Sequence, residues 1–385
     1  MTEAQSILIE LIASVLCDKP TAFTELSDDT LQEVYEVAKR QDLSHFIGAA
    51  LTKKKIKVSD TAFKHYQNIM FQTAVRMQRI SYEFENVCRL LEQSEIQFIP
   101  LKGAVIKSYY PEAWLRTSCD IDILVHESDI EKGIAAINSS GRFNVSERHF
   151  HDVSLTAKGI NIELHFSILE ANDKLDYVLK DVWKYARVRE NHKYLTELTP
   201  EFLMFHIYAH AAYHFLKGGC GVKPLMDIFL LESKLEFDRT ILEELLEKAE
   251  IKRLRRQLLL LSKTWFANGK GDELTASMEN YIFSGGVYGT RENNLSVMGT
   301  KGDSNKFALQ LIFLPYENMK IKYPVLQKHK YLTPIFEVVR WISFVFKGNY
   351  EARINDVKYF NSISDSKKQE IDIMLKKLGL REDIK

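Results

Sequence analysis

The spacing of apolar residues changes between about residues 95 and 170, and this change constrains the fold more than any other feature. Before it, in 59–94, and after Pro200, apolar residues recur at the spacing of amphipathic helices. Within it, 120–125 and 160–168 alternate apolar and polar residues, as strands do. The pattern predicts an α+β fold, in which a small mixed β-sheet of about five strands is embedded in a mostly helical chain.

The same change of spacing divides the chain of 385 residues into three expected domains. The first is an N-terminal helical region at 1–94, and the second is an α+β domain at 95–190. The third is a C-terminal helical region at 191–385. A chain of this length is longer than one average domain, so a division of this kind is expected.

Three local patterns give more detailed expectations. Residues 29–52 keep a helical spacing throughout and predict one helix. Ser128 followed by Glu131 has the spacing of a capping box and predicts the start of a helix there. Residues 268–306 are poorer in apolar residues and contain the glycine-rich sequence SGGVYGT at 284–290, so they predict a loop.

Composition excludes several classes of protein. Lys+Arg and Asp+Glu both number 52, and this zero net charge argues against long nucleic acid as a partner. The four cysteines lack metal-binding spacing and indicate a reduced, cytoplasmic protein, with Cys119 expected in the core at the start of a strand. The N-terminal residues lack the basic start of a signal peptide. No apolar run is long enough for a membrane span.

Two aspartates in one predicted strand are the first candidates for chemistry. Asp120 and Asp122 are two residues apart, so their side chains share one face, whereas Ile121 and Ile123 point to the other. Neighbouring carboxylates repel each other, and a divalent cation such as Mg²⁺ or Mn²⁺ removes that repulsion. The alternative is an edge strand whose acidic face is simply solvated.

Other residues extend this pair into a possible metal and phosphate site. Glu163 and His165 share one face of a later predicted strand, which would add a third carboxylate if the two strands were neighbours. Gly103 begins a predicted helix, where free N–H groups suit phosphate, and Lys102 adds a positive charge. The alternatives are an exposed glutamate, a solvated lysine and a histidine that only donates a hydrogen bond.

A predicted helix after Pro200 carries three histidines at four-residue intervals. His206, His210 and His214 would lie on one helix face, with Asp227 on the next predicted helix. This spacing can hold a metal, although it lacks the glutamate of the zinc-protease motif. The alternatives are packed histidines, or a cleft wall in which His210, His214 and Asp227 touch an acceptor or nucleotide.

Together these motifs resemble the nucleotidyltransferase superfamily of DNA polymerase beta-like folds. More narrowly, they resemble a large family of mostly uncharacterised bacterial nucleotidyltransferase-like proteins, over about residues 25–345. The residues that carry the resemblance are L-K-G at 101–103, Y-P at 110–111, Arg116 before D-I-D-I-L-V at 120–125, E-L-H at 163–165, His210 and His214, P-L-M-D at 224–227, SGGVYGT at 284–290, Y-P at 323–324 and L-T-P at 332–334. One departure is Ala104, since the superfamily usually has serine or glycine after the glycine of the turn.

The resemblance implies a magnesium-dependent nucleotidyltransferase, with Mn²⁺ as the other possible cation. It would move a nucleoside monophosphate from a nucleoside triphosphate to the hydroxyl or amine of an unidentified small-molecule or protein acceptor. The catalytic residues and metal ligands implied are Asp120, Asp122 and Glu163. The phosphate contacts implied are Lys102, Gly103 and Arg116, and the alternative for Arg116 is a pair with an aspartate that neutralises the acidic cluster. The residues expected to line the acceptor cleft are His165, His210, His214 and Asp227.

Two other functions remain open from the sequence. One is a catalytically degenerate relative that binds a nucleotide or a partner, such as a regulatory or toxin–antitoxin component. The loss of the turn serine at Ala104 favours this hypothesis. The other is a metal-dependent hydrolase whose ligands are His206, His210, His214 and Asp227. It predicts the metal on the histidine helix, away from Asp120.

Overall fold

The fold is a helical body that carries one small mixed sheet, so the predicted α+β class is confirmed. The computed structural model describes residues 1–149, 151–287, 289–299, 313–314, 316, 319–320, 323, 325–346 and 362–382. Within these residues, no helix combines the length and apolar character needed to cross a membrane.

Four helices precede the sheet. They are α1 (Glu3–Leu16), α2 (Asp28–Arg40), α3 (His45–Lys54) and α4 (Asp60–Gln93). The single helix predicted for 29–52 is therefore wrong, because the chain breaks between α2 and α3. At the break, Asp42 takes a left-handed φ of 53°. Its carboxylate accepts hydrogen bonds from Lys223 and Thr117, which lie far away in sequence.

The five predicted strands form one sheet. They are β1 (Phe98–Pro100), β2 (Asp120–Val125), β3 (Asn144–Arg148), β4 (Asp152–Ala157) and β5 (Ile160–His165), in the spatial order β1-β2-β5-β4-β3. Strands β2 and β5 are parallel neighbours, and the other pairs are antiparallel. Lys158 and Gly159 both have positive φ in the tight β4–β5 turn. The parallel pair brings the two predicted acidic strands side by side.

Two short helices accompany the sheet, α5 (Gly103–Ile106) and α6 (Ile130–Asn138). The predicted capping box of Ser128 and Glu131 is wrong. A 3₁₀ turn at Glu127–Asp129 precedes α6, whose first residues receive no side-chain cap. Glu131 instead accepts two hydrogen bonds from Arg148 on β3. The Glu131 carboxylate thus forms a bidentate pair with Arg148 and does not cap the helix.

The described residues after the sheet are largely helical. The elements are α7 (Asp173–Leu179), β6 (Ala186–Val188), β7 (Thr196–Leu198), α8 (Pro200–Leu216), α9 (Lys223–Lys234), α10 (Arg239–Lys248), α11 (Lys252–Phe266), α12 (Glu273–Gly285), α13 (Arg291–Gly299), α14 (Val325–Lys328), α15 (Thr333–Phe346) and α16 (Asp365–Lys377). The loop predicted for 268–306 is wrong over α12 and α13, and 300–306 lie outside the described residues. Helix α12 forms because Asp272 and Thr275 make a capping box and Ile282 is fully buried.

Both faces of the sheet are covered by apolar cores. Ile121, Ile123 and Val125 belong to the smaller core, which includes residues of α4 and α6. Leu124, on the opposite face of β2, belongs to the larger core with α1, α8 and α9. The face that carries the aspartates therefore points into the helical body, and a cleft lies between the sheet and α8 and α9.

Candidate active site

One cleft collects most of the residues that the sequence singled out. It is bounded by β2, by the turn before α5 and by α8 and α9. Its lining includes Lys102, Gly103, Arg116, Ser118, Asp120, Asp122, His210, His214, Lys223 and Asp227. A second cleft continues from it on the other side of Lys102 and His210, and its lining includes Glu163, His165, Glu170 and His206.

The carboxylates of β2 and β5 meet because the strands are parallel and in register. Asp122 pairs with Glu163 directly. Ligand atoms of Asp122, Glu163 and His165 all lie within 4.8 Å of one another. Asp122 is only 8% exposed, so a solvated acidic face does not describe it. Asp120 is half-buried at the start of β2, where burial and repulsion from Asp122 and Glu163 raise its pKa to about 6.

Two cations surround Asp122. His165 Nε2 is 3.0 Å from Asp122 Oδ1 and 3.6 Å from Glu163 Oε2, and Lys102 Nζ is 3.9 Å from Asp122 Oδ1. Burial opposes ionisation of His165, but the hydrogen bond to Asp122 and the nearby Glu163 carboxylate raise its pKa to about 9. Burial also raises the pKa of Asp122, but Lys102 and His165 outweigh it, so that pKa lies well below its ordinary value. Without a metal, Asp122 is thus an ionised carboxylate neutralised by two protein cations.

The turn before α5 aims Lys102 at this carboxylate. Lys102 has φ 44° and ψ −117°, a backbone conformation that residues other than glycine rarely adopt. The helix predicted from Gly103 is short and continues as a 3₁₀ turn at Lys107–Tyr109. A Cβ on Gly103 would meet Ser118 Oγ at 3.5 Å and Arg116 Nη1 at 3.6 Å. These are ordinary contacts, so packing within the protein does not require a glycine there.

Ser118 is a residue that the sequence reasoning missed. Its hydroxyl lies beside Gly103, and it donates a hydrogen bond to the backbone oxygen of Asp120 at 2.8 Å. Ala104, which follows Gly103, has no hydroxyl to offer. A serine two residues before a strand matches no sequence motif. Its position beside Gly103 therefore follows only from the folded structure of residues 101–118.

Arg116 and Asp227 bind each other. Arg116 Nε donates to Asp227 Oδ1 and Nη2 donates to Oδ2, both at 2.8 Å, and Nη1 donates to the Thr117 backbone oxygen. The Tyr110 hydroxyl donates to Asp227 Oδ1 at 2.6 Å. Each side-chain nitrogen of Arg116 therefore already donates to a protein oxygen. A phosphate bound by Arg116, as predicted, would have to compete with these partners. The pair fastens the loop before β2 to helix α9.

Two of the three histidines of α8, His210 and His214, form a hydrogen-bonded row with Glu170. His210 Nδ1 is 2.9 Å from Glu170 Oε1, and His210 Nε2 is 2.9 Å from His214 Nε2. Burial lowers the pKa of His206 and His214 to about 3 and that of His210 well below its ordinary value. Both linked rings are therefore neutral. Because Glu170 accepts the Nδ1 hydrogen of His210, His214 donates its Nε2 hydrogen and keeps a lone pair on Nδ1.

This arrangement does not match the set of ligands that the hydrolase hypothesis requires. Asp227 is held by Arg116, and His206 is buried beside the second cleft. In the part of the chain that the structure describes, the groups suited to a metal are two other sets. One contains Asp122, Glu163 and His165, and the other contains His151, Asp152 and His165. No sequence motif pointed to Glu170, His151 or Asp152.

Cys119 also differs from its expected position. The thiol was expected in the core at the start of β2, but Cys119 is exposed and lines the cleft beside Asp120. The reason is that β2 begins at Asp120, so Cys119 belongs to the preceding loop rather than to the buried strand.

A protein-family model described as an uncharacterised nucleotidyltransferase matches residues 27–267. The match includes both acidic strands, the turn at Lys102 and helices α8 and α9. The motifs at 284–290, 323–324 and 332–334 lie beyond it, and Tyr288 and Pro324 of these motifs are outside the described residues. No curated protein and no solved structure matches the chain.

Proposed function

Since the chain belongs to this family of uncharacterised nucleotidyltransferases, we propose that it transfers a nucleoside monophosphate from a nucleoside triphosphate to an acceptor hydroxyl or amine. One observation carries the proposal. The parallel register of β2 and β5 sets Asp122 beside Glu163, where the two adjoining clefts share Lys102 and the first cleft also holds Asp120.

The donor set suits a hard divalent cation. Asp120, Asp122 and Glu163 offer carboxylate oxygens, which Mg²⁺ and Mn²⁺ prefer, and burial together with repulsion from Asp122 and Glu163 raises the pKa of Asp120 to about 6. These three residues would hold Mg²⁺ or Mn²⁺. When bound, the cation would neutralise charge on the phosphate oxygens and on the leaving pyrophosphate.

The protein's own groups then have distinct roles. Lys102 would turn from Asp122 to a phosphate oxygen once a cation neutralises the carboxylate. Gly103 would leave room for the phosphate chain, and the Ser118 hydroxyl would take the place of the serine absent at Ala104. Each of these groups would bind or orient the triphosphate. Binding of the triphosphate would therefore depend little on Arg116.

The acceptor would enter along α8, where His210 and His214 line the cleft. The lone pair on His214 Nδ1 would accept a hydrogen bond from the acceptor hydroxyl or amine. The acceptor atom would attack the α-phosphorus, the bond to pyrophosphate would break, and the acceptor would lose its proton. Glu163 would complete the metal site or receive that proton.

Binding of non-hydrolysable analogues of the four nucleoside triphosphates, with and without Mg²⁺, tests this proposal. We expect Mg²⁺-dependent binding by the natural chain and at least a tenfold loss in Asp120→Asn and Asp122→Asn. Glu127→Gln is the matched control, because Glu127 is an exposed acid two residues beyond β2. Unchanged affinity in both aspartate variants, or no binding by the natural chain, would overturn the proposal.

A second candidate function is nucleotide binding without turnover. It is favoured by the protein partners that occupy Arg116 and by Ala104 in place of the turn serine. The two functions differ in one measurement, the release of pyrophosphate from a bound triphosphate in the presence of candidate acceptors. Binding that depends on Asp120 and Asp122, without pyrophosphate release, would favour the second function.

A further inference from the structure

We propose a second metal site, for a transition-metal cation such as Zn²⁺, formed by His151, Asp152 and His165. Ligand atoms of these three residues lie within 4.8 Å of one another. Asp152 is the first residue of β4 and pairs in register with His165, the last residue of β5. His151 directly precedes β4, and its ring lies almost parallel to that of His165 at 20°, with centroids 5.7 Å apart.

A buried carboxylate oxygen of Asp152 that lacks a hydrogen-bond partner among the described residues supports a cation at this point. Asp152 is 3% exposed, and its Oδ2 is 2.8 Å from His151 Nε2. Its Oδ1 is buried and has no hydrogen-bond partner among the described residues. A buried polar atom without a partner is costly, and native proteins rarely leave one unexplained. A cation bound by the carboxylate would satisfy this oxygen.

The orientation of His165 also suits metal binding. Its Nε2 faces Asp122 and Glu163, at 3.0 Å and 3.6 Å. A metal-bound histidine usually donates its other ring N–H to a carboxylate, which fixes the ring and makes it a stronger ligand. Asp122 and Glu163 meet that requirement for His165, whose Nδ1 would then bind the cation.

The chemistry of the ligands separates this site from the acidic one. Two imidazoles and one carboxylate favour Zn²⁺, Co²⁺ and related cations, whereas an all-carboxylate set favours Mg²⁺. Three protein ligands would leave a position for water or another ligand. The proposal does not depend on nucleotidyl transfer, although His165 would connect the two sites through its two ring nitrogens.

Titration of the metal-free full-length chain with Co²⁺, in excess Mg²⁺, tests the proposal. We expect one equivalent of Co²⁺ to give visible absorption bands that Zn²⁺ abolishes. His151→Gln and Asp152→Asn should each weaken Co²⁺ binding at least tenfold. His149→Gln is the matched control, because His149 lies two residues from His151, has a side chain 45% exposed and should leave binding unchanged. Asp120→Asn should also leave binding unchanged.

Three results would overturn the proposal. They are the absence of stoichiometric Co²⁺ binding at micromolar concentrations, unchanged binding in His151→Gln, and loss of binding in Asp120→Asn. Circular dichroism of each variant separates a lost ligand from a lost fold. If the buried Asp152→Asn variant does not fold, His151→Gln still decides the question, because the His151 side chain is 33% exposed.

Discussion

At the scale of single residues, the charge of His165 is coupled to the fold. The hydrogen bond to Asp122 and the nearby Glu163 carboxylate outweigh the effect of burial and raise the pKa of His165 from 6.5 to about 9. The folded protein therefore holds this proton more tightly than the unfolded chain does. The resulting stability is fully present below pH 6.5 and is lost as the pH rises through about 9.

We therefore expect the contribution of His165 to the free energy of unfolding of the metal-free protein to fall between pH 6.5 and 9, by an amount on the order of 3 kcal/mol. The buried neutral histidines His206 and His214, whose pKa is lowered to about 3, change the stability in the opposite direction as the pH rises through 6.5. Comparing urea unfolding of the natural chain and of His165→Asn at each pH, in the presence of a chelator, isolates the His165 contribution, which His165→Asn should lack. His149→Asn, which changes an exposed histidine on the β3–β4 turn, should keep it. An equal slope in His165→Asn would contradict the assignment.

The Arg116–Asp227 pair gives a second prediction at this scale. Both side chains are largely buried, so Arg116→Met leaves Asp227 as a buried carboxylate with Tyr110 as its remaining hydrogen-bond donor. Loss of one partner from a buried pair costs about 3–5 kcal/mol. Arg142→Met is the control, because Arg142 is 40% exposed in its pair with Glu83 and its loss should cost less than about 1 kcal/mol.

Urea unfolding of both variants decides whether the Arg116 pair is structural. Similar small losses in the two variants would show that Arg116 does not hold the loop before β2 to α9. In that case Arg116 would be available to phosphate, as the sequence suggested. A large loss in Arg116→Met alone supports the structural role that its hydrogen bonds indicate.

At the scale of secondary-structure elements, the sequence predicted the strands of the sheet correctly but took the helices α12 and α13 for a loop. Period-two alternation predicted that Asp120 and Asp122 share one face of β2 and that Glu163 and His165 share one face of β5, because side-chain direction follows from local geometry. The sequence left open whether the two strands are neighbours, and the structure pairs Asp122 with Glu163. The break between α2 and α3 left no local signal, because helical spacing continues through it. Gln41 and Asp42 fix the break through Ile282, Val222 and Lys223, which come from distant parts of the sequence.

The turn that begins α5 holds strain that a substitution can release. Lys102 adopts φ 44° and ψ −117°, which glycine adopts readily and other residues do not. Lys102→Ala removes the charge but keeps the strain, whereas Lys102→Gly removes both. We expect Lys102→Gly to be more stable than Lys102→Ala by about 1 kcal/mol in urea unfolding. The reverse order would show that this backbone conformation carries no strain.

At the scale of the whole molecule, the cleft exists because two cores meet across β2. Ile123 contributes to one core and Leu124 to the other. Sequence reasoning found the acidic strands because their chemistry and spacing are local. It missed Ser118 and Glu170, whose positions depend on how the turn at Lys102 and helix α8 pack on the sheet. Burial of Asp122 also depends on that packing, since an isolated sheet would expose its carboxylate face.

The larger core gives a prediction about the domain at 95–190. That core joins helices from 1–94 and from 191–385, and it also buries Leu101, Leu124 and Ile168 from within 95–190. A fragment of residues 95–190 would expose these side chains, and each would lose on the order of 2 kcal/mol of hydrophobic stabilisation. We therefore expect the fragment not to unfold cooperatively and to give a poorly dispersed amide NMR spectrum, unlike the full chain. A dispersed spectrum and a cooperative urea transition would instead establish 95–190 as an independent domain, with helices that only cover its acidic face.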